Sequence, residues 1–325
     1  MLFEFGYNNT DCLKFIIKEV RHSRTGIDIF YTGTDIVNTA RMTGNSTIHD
    51  LVEQKELIHN EFPKAKLYLV ANDIVLYGFD KSKFFYKLKN LLEEVHPDGI
   101  IIANPILLYL FNELFSQYNI DIIISTIAGI DSIAKLEQLL KQSYYFGGIV
   151  VPISLNRNIA LLQEFKNRIG SRKLILIPNE GCSPSCINRI FHFISHSLTN
   201  VEFSNTFVEK CTNDYKATTD YFLKTGIIVP SMLSNELDDI VDIIKLPNRH
   251  LTEEKHIKKT IKQLVWYQNR KDPANFFELI GFDVHYTLKT NLLKELFVIW
   301  RSCKNQCHQC NRCNLFTKYI KVRGD

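Results

Sequence analysis

The sequence contains no apolar run long enough to cross a membrane. Its longest apolar stretch, residues 99–115, is interrupted by Asn104, Pro105, Asn112 and Glu113, whereas a spanning helix needs about 20 consecutive apolar residues. The opening residues, MLFEFGYNN, lack the basic and apolar segments of a secretory signal. We therefore expect a cytoplasmic protein without a membrane span.

The sequence also lacks a large excess of charge of one sign. Its 39 Lys and Arg residues nearly balance 35 Asp and Glu residues, and the formal net charge is +4. Charge-driven binding of nucleic acid normally requires a clustered basic excess, so this class is disfavoured, although contact with RNA stays open. With 325 residues, 45% of them hydrophobic, the chain can bury a large core.

Two common protease motifs are missing. The sequence has neither the H-E-x-x-H pattern of zinc proteases nor the G-x-S-x-G turn of serine hydrolases. A cysteine nucleophile with a histidine base stays open, because such pairs meet in space rather than in sequence.

The pattern that is present alternates short apolar runs with amphipathic segments. Eight candidate strands occupy residues 2–6, 27–33, 66–72, 99–104, 121–126, 148–154, 173–179 and 239–246. Candidate helices lie between them at 11–23, 48–62, 83–95, 132–143 and 159–170. Continuous apolar runs suit parallel strands that are buried on both faces. The alternation predicts an α/β protein with a (β/α)₈ TIM-like barrel, and a doubly wound open sheet is the alternative.

We expect the barrel to occupy residues 1–250, with a cysteine-bearing insertion at 182–238 before the last strand. Residues 251–325 then form C-terminal helices and a cysteine-rich tail. Polar residues follow the predicted strands at Asn8, Asn72, Asn104, Ser125, Thr126, Asn156, Arg157, Asn179, Glu180, Asn248 and Arg249. In a barrel these positions share the rim on which active sites are built, although several asparagines also suit helix N-caps.

The densest cysteine group lies in the stretch RSCKNQCHQCNRCNLF. Cys303, Cys307, Cys310 and Cys313, hereafter the tail cysteines, follow a C-x3-C-x2-C-x2-C spacing. In a reducing compartment such clusters are metal ligands or redox groups more often than disulfides. The compact spacing favours an iron–sulfur cluster, and a zinc site is the alternative.

A second group follows the seventh predicted strand. Cys182 and Cys186 lie in the segment NEGCSPSC, and Cys211 lies further along; we call these three the rim cysteines. If the tail cysteines form a site alone, the rim group lacks a fourth ligand. Candidates for it are bound substrate, a shared tail cysteine, or one histidine from His192, His196 and His250. Cys12 lies among apolar residues of the first helix, and we expect it only to pack there.

These motifs resemble a known family. The segments LILIPNEGCSPSC, IVVPISLNRNIALLQEF and VDIIKLPNR, together with the closing tail, resemble the collagenase-like peptidase family U32, in particular a small branch with a cysteine-rich C-terminus. The resemblance covers most of residues 1–313 and implies a TIM-like barrel. Several members of the family are hydroxylation proteins that carry a [4Fe–4S] cluster on four cysteines. The rim cysteines match the cluster-bearing region, whereas PSMLSNELDD stands here where those members have their fourth cysteine.

The predicted function is an oxygen-sensitive, iron–sulfur-dependent modifying enzyme with one or two [4Fe–4S] clusters, or with zinc in the tail. The resemblance implies oxygen-independent hydroxylation, or a related reaction, of a small molecule, RNA or peptide. Glu180, Arg157, Lys245 and Arg249 are the predicted residues of the substrate cavity, and the two arginines suggest an anionic co-substrate. Glu180 could transfer protons or pair with Arg249. The first alternative is a non-catalytic metal protein that transfers electrons to a protein partner, and the second is a peptidase.

Overall fold

A computed structural model describes residues 1–34, 46–75, 80–114, 116–197, 201–217, 223–247, 252–272, 277–278, 284–287, 290–304, 306–307 and 309–324. Eight parallel strands close into a barrel in sequence order, β1 to β8, and β8 pairs with β1. The strands are β1 (Leu2–Gly6), β2 (Ile29–Gly33), β3 (Lys66–Ala71), β4 (Gly99–Ile102), β5 (Asp121–Ile124), β6 (Gly148–Val150), β7 (Lys173–Leu176) and β8 (Ile243–Leu246). The prediction of a (β/α)₈ barrel is confirmed.

Helices follow the strands as a parallel sheet requires. They are α1 (Thr10–Ser23), α2 (Ile48–Glu61), α3 (Lys81–Val95), α4 (Pro105–Leu114), α5 (Ile133–Lys141), α6 (Ile159–Ile169), α7 (Arg189–Ser197), α8 (Val201–Ala217), α9 (Glu254–Gln268) and α10 (Thr290–Arg301). Helix α9 follows β8, and its residues Ile257, Ile261 and Leu264 belong to the same apolar core as α1. Helix α9 therefore packs with α1 around the barrel.

Polar side chains begin several of these helices. Asn9 Oδ1 accepts a hydrogen bond from Cys12 N at the start of α1 (2.9 Å). Thr47 and Asp50 form a reciprocal capping box at α2. Asn104 Oδ1 accepts from Ile106 N (2.9 Å), so this asparagine starts α4 directly before Pro105. Its position after a strand is thus a cap rather than a catalytic feature.

Side-chain alternation along the strands divides the interior into two regions. Inward residues such as Ile123 and Ile175 fill the barrel lumen, while outward residues such as Phe5 and Leu246 pack under the helices. Only glycine fits at position 6, because a Cβ there would lie 2.5 Å from Cζ of Tyr31. The Tyr31 ring can therefore lie across the lumen next to β1.

The insertion contains α7, α8, a helical turn (Pro230–Met232) and a π-helical segment (Leu233–Leu237). Beyond α9 lies a three-stranded antiparallel sheet that the sequence patterns did not predict: β9 (Phe277–Glu278), β10 (Val284–Thr287) and β11 (Lys321–Gly324). A 3₁₀ segment, Arg312–Tyr319, precedes β11. In the described part of the chain, no helix has the length and apolarity that a membrane crossing needs.

A charged group closes the amino-terminal end of the lumen. Asp121 Oδ2, at the start of β5, accepts hydrogen bonds from the Tyr68 hydroxyl (2.6 Å) and from Lys173 Nζ (2.8 Å). Burial alone would raise the pKa of Asp121, but Lys173 and Tyr68 lower it overall. The carboxylate is thus stabilised in its ionised form in the folded protein.

We expect Asp121→Asn to lower the free energy of unfolding at pH 7 by about 1–3 kcal/mol, because it leaves Lys173 without its counter-charge. A carboxyl with a depressed folded-state pKa stabilises the fold above its unfolded pKa, and that contribution is lost as pH falls through the folded value. The difference between wild type and variant should therefore shrink below about pH 4. Urea unfolding of both proteins at a series of pH values measures this difference in the free energy of unfolding. The matched control is Asp131→Asn, which removes an exposed pair with Lys135; an equal effect there would contradict the assignment.

Candidate functional site

A cavity of about 40 Å³ opens at the carboxyl ends of the strands. Its polar lining consists of Tyr31, Asn72, Ser125, Thr126 and Lys245. Its remaining walls are apolar side chains of β3, β4 and β6 and of the segments that follow β5, β7 and β8. A volume of this size holds a few water molecules or one small functional group of a larger ligand. The cavity lies at the barrel end where TIM-barrel enzymes place their chemistry.

Lys245 contributes the cation of this cavity. It lies on β8 directly opposite Glu4 of β1, and its ammonium forms an ion pair with that carboxylate. Nζ of Lys245 also lies 3.3 Å from the centre of the Tyr31 ring, and the Tyr31 hydroxyl donates to Leu246 O (2.8 Å). Contacts with Glu4 of β1 and with Tyr31 of β2 therefore hold the lysine side chain in one orientation.

Glu4 is fully buried, and its second oxygen, Oε2, has no hydrogen-bond partner among the described residues. Burial raises the pKa of Glu4, although Lys245 and the more distant Lys173 oppose the rise. A buried carboxyl group with a raised pKa can exchange a proton with an adjacent lysine. Glu4 was not predicted from the sequence. A charged residue within the first apolar strand is unusual, however, and could have indicated it.

Glu180 lies at the rim of the barrel after β7, where it pairs with Arg189. The two side chains form a bidentate contact, with Nη1 to Oε1 at 2.8 Å and Nη2 to Oε2 at 3.1 Å. Among the described residues the partner of Glu180 is thus Arg189, the first residue of α7; the predicted partner Arg249 lies outside the described residues. Both partners are largely buried, and the fork geometry makes the contact strong.

Two of the rim cysteines, Cys182 and Cys186, lie near this pair. Burial alone would lower the pKa of Arg189, but Glu180 raises it overall, with a contribution from Cys182 and Cys186. Burial raises the pKa of Cys211, and Cys186 adds to the rise. Cys182 and Cys186 therefore lie near the Arg189 guanidinium, and Cys211 lies near Cys186.

Two of the histidines named as possible fourth ligands also lie on α7. The rings of His192 and His196 are 4.5 Å apart, and His192 also contacts the rings of Phe193 and Phe207. The third, His250, lies outside the described residues.

The tail cysteines form a separate group. Burial raises the pKa of Cys307, and Cys303 and Cys310 raise it further, while Arg157 and Lys224 oppose the rise. Burial likewise raises the pKa of Cys313, which Arg157 and a hydrogen bond from Trp300 lower. Cys303, Cys307 and Cys313 therefore interact with one another and with Arg157, and Cys310 interacts with Cys307.

The structure corrects the prediction that Arg157 lines the substrate cavity. The side chain is 1% exposed; Nε donates to Ile227 O and Nη1 to Leu223 O, both at 2.9 Å. Its guanidinium carbon stacks 3.4 Å from the centre of the Trp300 ring. Arg157 thus joins the barrel, the insertion and the tail, and it is not among the residues that line the cavity.

No three His, Cys, Asp or Glu side chains of the described residues are arranged around one point in the geometry of a metal site. Both cysteine groups remain unbridged thiols, half-buried except for the exposed Cys310.

Comparison with known proteins gives one relative and one fold. No protein-family model matches the chain. The chain is 27% identical over 249 residues to the uncharacterized protease MJ1657 of Methanocaldococcus jannaschii, and the match covers 74% of this chain and 70% of that protein. Its fold is similar to that of the U32 peptidase Mk0906, with a TM-score of 0.51 and 11% identity over 76% of this chain and 92% of the other. At that identity the structural likeness shows the fold alone.

We expect Glu4→Gln and Lys245→Met each to lower the free energy of unfolding by about 3 kcal/mol, because each leaves a buried charged or polar partner uncompensated. The double variant should lower the free energy of unfolding by about 1–3 kcal/mol less than the sum of the two single effects, since it leaves neither charge unpaired. Urea unfolding of the four proteins measures this coupling. The pair Glu4→Gln with Lys89→Met, which alters an exposed lysine of α3, serves as the control and should be additive. Additivity of Glu4 and Lys245 would contradict the coupling.

Proposed function

We propose that this chain, which belongs to the collagenase-like U32 peptidase family, is an enzyme that acts at the mouth of its barrel with an iron–sulfur cluster on its rim cysteines. The observation that supports this most is the position of Cys182 and Cys186 beside the Glu180–Arg189 pair, with Cys211 near Cys186. The cavity that contains Lys245 lies at the same end of the barrel.

The donor set of the rim fits such a cluster. Soft thiolates are the usual ligands of iron–sulfur clusters. Arg189 supplies positive charge beside them, which favours deprotonated thiols and an anionic cluster. Three cysteines leave one position for His192, His196 or a substrate atom. When bound, the cluster would supply one-electron chemistry at this position.

The cavity residues account for substrate binding. Lys245 can donate a hydrogen bond to a substrate oxygen, and Glu4 can accept or return a proton through Lys245. Ser125 and Asn72 orient the bound group, and the apolar walls exclude bulk water. This combination suits the carbonyl or carboxylate end of a small molecule, RNA or peptide. Oxygen-independent hydroxylation stays a prediction from the family resemblance.

Peptide hydrolysis is the second candidate, and the name of the archaeal relative favours it. The cavity would then bind a peptide carbonyl, with Lys245 as the donor to its oxygen. Ser125 carries a hydroxyl in the same cavity that could act as nucleophile, whereas the hydroxyls of Thr126 and Tyr31 donate to main-chain carbonyls.

Anaerobic purification followed by iron, sulfide and zinc quantification tests the proposal. We expect wild type to contain iron and acid-labile sulfide. The Cys182→Ser/Cys186→Ser variant should lose the iron and sulfide that the rim cysteines bind, because it removes two ligands. Cys12→Ser is the matched control, since Cys12 is a buried cysteine of α1. A rim variant with the full wild-type iron content would refute the rim cluster. Cleavage of a fluorogenic peptide library that survives metal removal but is abolished by Ser125→Ala would favour the peptidase instead.

A further inference from the structure

Lys245 lies in an unusual environment for a lysine. Its side chain is only 10% exposed, and it forms part of the lining of the mouth cavity. Apolar walls deprive an ammonium group of solvation and favour the neutral amine. A neutral lysine amine that faces a cavity is a nucleophile. The apolar residues of this lining include Val70, Ile101, Val150 and Ile177.

The barrel contains two lysine–carboxylate pairs, at opposite ends of its lumen, and they differ in character. At the amino-terminal end, Lys173 pairs with Asp121, whose pKa is lowered, so this carboxylate stays ionised. At the carboxyl end, Lys245 pairs with Glu4, whose pKa is raised by burial. Oε2 of Glu4 also has no hydrogen-bond partner among the described residues. Glu4 can therefore take a proton from Lys245, whereas Asp121 does not take one from Lys173.

We propose that Lys245 is a nucleophile that binds a small aldehyde or ketone covalently, as an iminium, at the mouth of the barrel, with Glu4 as the proton carrier. This inference rests on the proposed function only in placing the substrate at the mouth cavity. It goes beyond that function because Lys245 attacks the carbonyl carbon instead of donating a hydrogen bond to its oxygen, and because the step needs no cluster.

The atoms and charges of this step balance. The ammonium gives one proton to Glu4, and the neutral amine adds to the carbonyl carbon while the carbon–oxygen double bond becomes single. A second proton passes from the nitrogen to that oxygen and gives a carbinolamine. Glu4 then donates its proton to the hydroxyl group, the carbon–oxygen bond breaks, and water leaves. The products are an iminium cation on Nζ, the Glu4 carboxylate and one water molecule, and nothing is oxidised or reduced.

Charge compensation favours this chemistry over acyl transfer. Glu4 is fully buried, and its carboxylate pairs with Nζ of Lys245. An iminium keeps one positive charge on that nitrogen, whereas an acylated lysine is neutral and would leave a buried carboxylate unpaired. The Tyr31 ring, whose centre lies 3.3 Å from Nζ, stabilises the cation before and after the reaction. The site therefore suits a carbonyl compound better than an acyl donor.

The cavity limits the size and polarity of this compound. Its volume of about 40 Å³ accommodates a carbonyl group with a short substituent. Ser125 Oγ accepts from Ile127 N (3.4 Å), so its hydroxyl can donate to a ligand. Thr126 Oγ1 donates to Val151 O (3.3 Å), so it can accept from one. The ligand class is therefore a small hydroxylated aldehyde or ketone.

Reductive trapping of the wild-type protein is the first test. The full chain is incubated at pH 7 with glycolaldehyde and sodium cyanoborohydride, which reduces an iminium to a stable secondary amine, and the modified lysines are mapped by mass spectrometry. We expect Lys245 to gain a hydroxyethyl group about 10-fold faster than Lys89, an exposed lysine of α3. Lys173 should stay unmodified, because its carboxylate partner is ionised. Equal rates at Lys245 and Lys89, or an unmodified Lys245, would overturn the proposal without any variant.

Two variants then test the separate roles. Lys245→Arg keeps a cation beside Glu4 but cannot form an iminium, so the fast site should disappear. Glu4→Gln removes the proton carrier, so trapping at Lys245 should slow by about 100-fold, and Glu4→Asp should recover part of the rate. Circular dichroism verifies the fold of each variant. Fast trapping that persists in Lys245→Arg, or a wild-type rate in folded Glu4→Gln, would contradict the assigned roles.

Trapping by Cys182→Ser/Cys186→Ser separates this inference from the proposed cluster. The rim variant should modify Lys245 as fast as wild type, because neither substituted cysteine is among the residues that line the cavity. Fast trapping by a rim variant that also retains the full wild-type iron content would refute the cluster alone. Slow trapping by an iron-loaded wild type would refute only the iminium.

Discussion

The need to compensate buried charge organises this molecule. Glu4, Arg157 and Arg189 are each enclosed by the fold, and each contacts groups from another part of the chain. Removing any one partner would leave a charge in a poorly solvated site at a cost of several kcal/mol. Each of these contacts therefore constrains where its two segments of chain can lie.

The three buried charges mark three places on the same side of the barrel. Lys245 lines the mouth cavity, and Glu4 pairs with it from beneath the cavity surface. Arg189 stands between Glu180 and the rim cysteines, and Arg157 stands among the tail cysteines. Lys245 lines the mouth cavity, and Arg157 and Arg189 are not among the residues that line it. This difference supports a catalytic role for Lys245 and a supporting role for the two arginines.

Sequence patterns predicted the barrel well because each strand and each helix is encoded locally. All eight strands were found, although most are shorter than predicted, since the residues after them turn into rim loops rather than pairing. The small sheet β9–β10–β11 was missed because two of its strands are short and its third lies beyond the tail cysteines. The environment of Arg157 was also missed. An arginine after a strand has the same local pattern whether it faces a cavity or packs under a tail that follows more than 140 residues later.

The sequence by itself determined the repeated strand and helix units, the helix caps and the membership of the two cysteine groups, because these depend on neighbouring residues. The tertiary structure alone decided which charges meet. Lys245 and Glu4 are separated by 241 positions and become neighbours only when β8 closes the barrel onto β1. The packing of the insertion and of α10 likewise places the rim cysteines near Arg189 and the tail cysteines near Arg157. Such contacts follow from closure of the barrel, which no local pattern encodes.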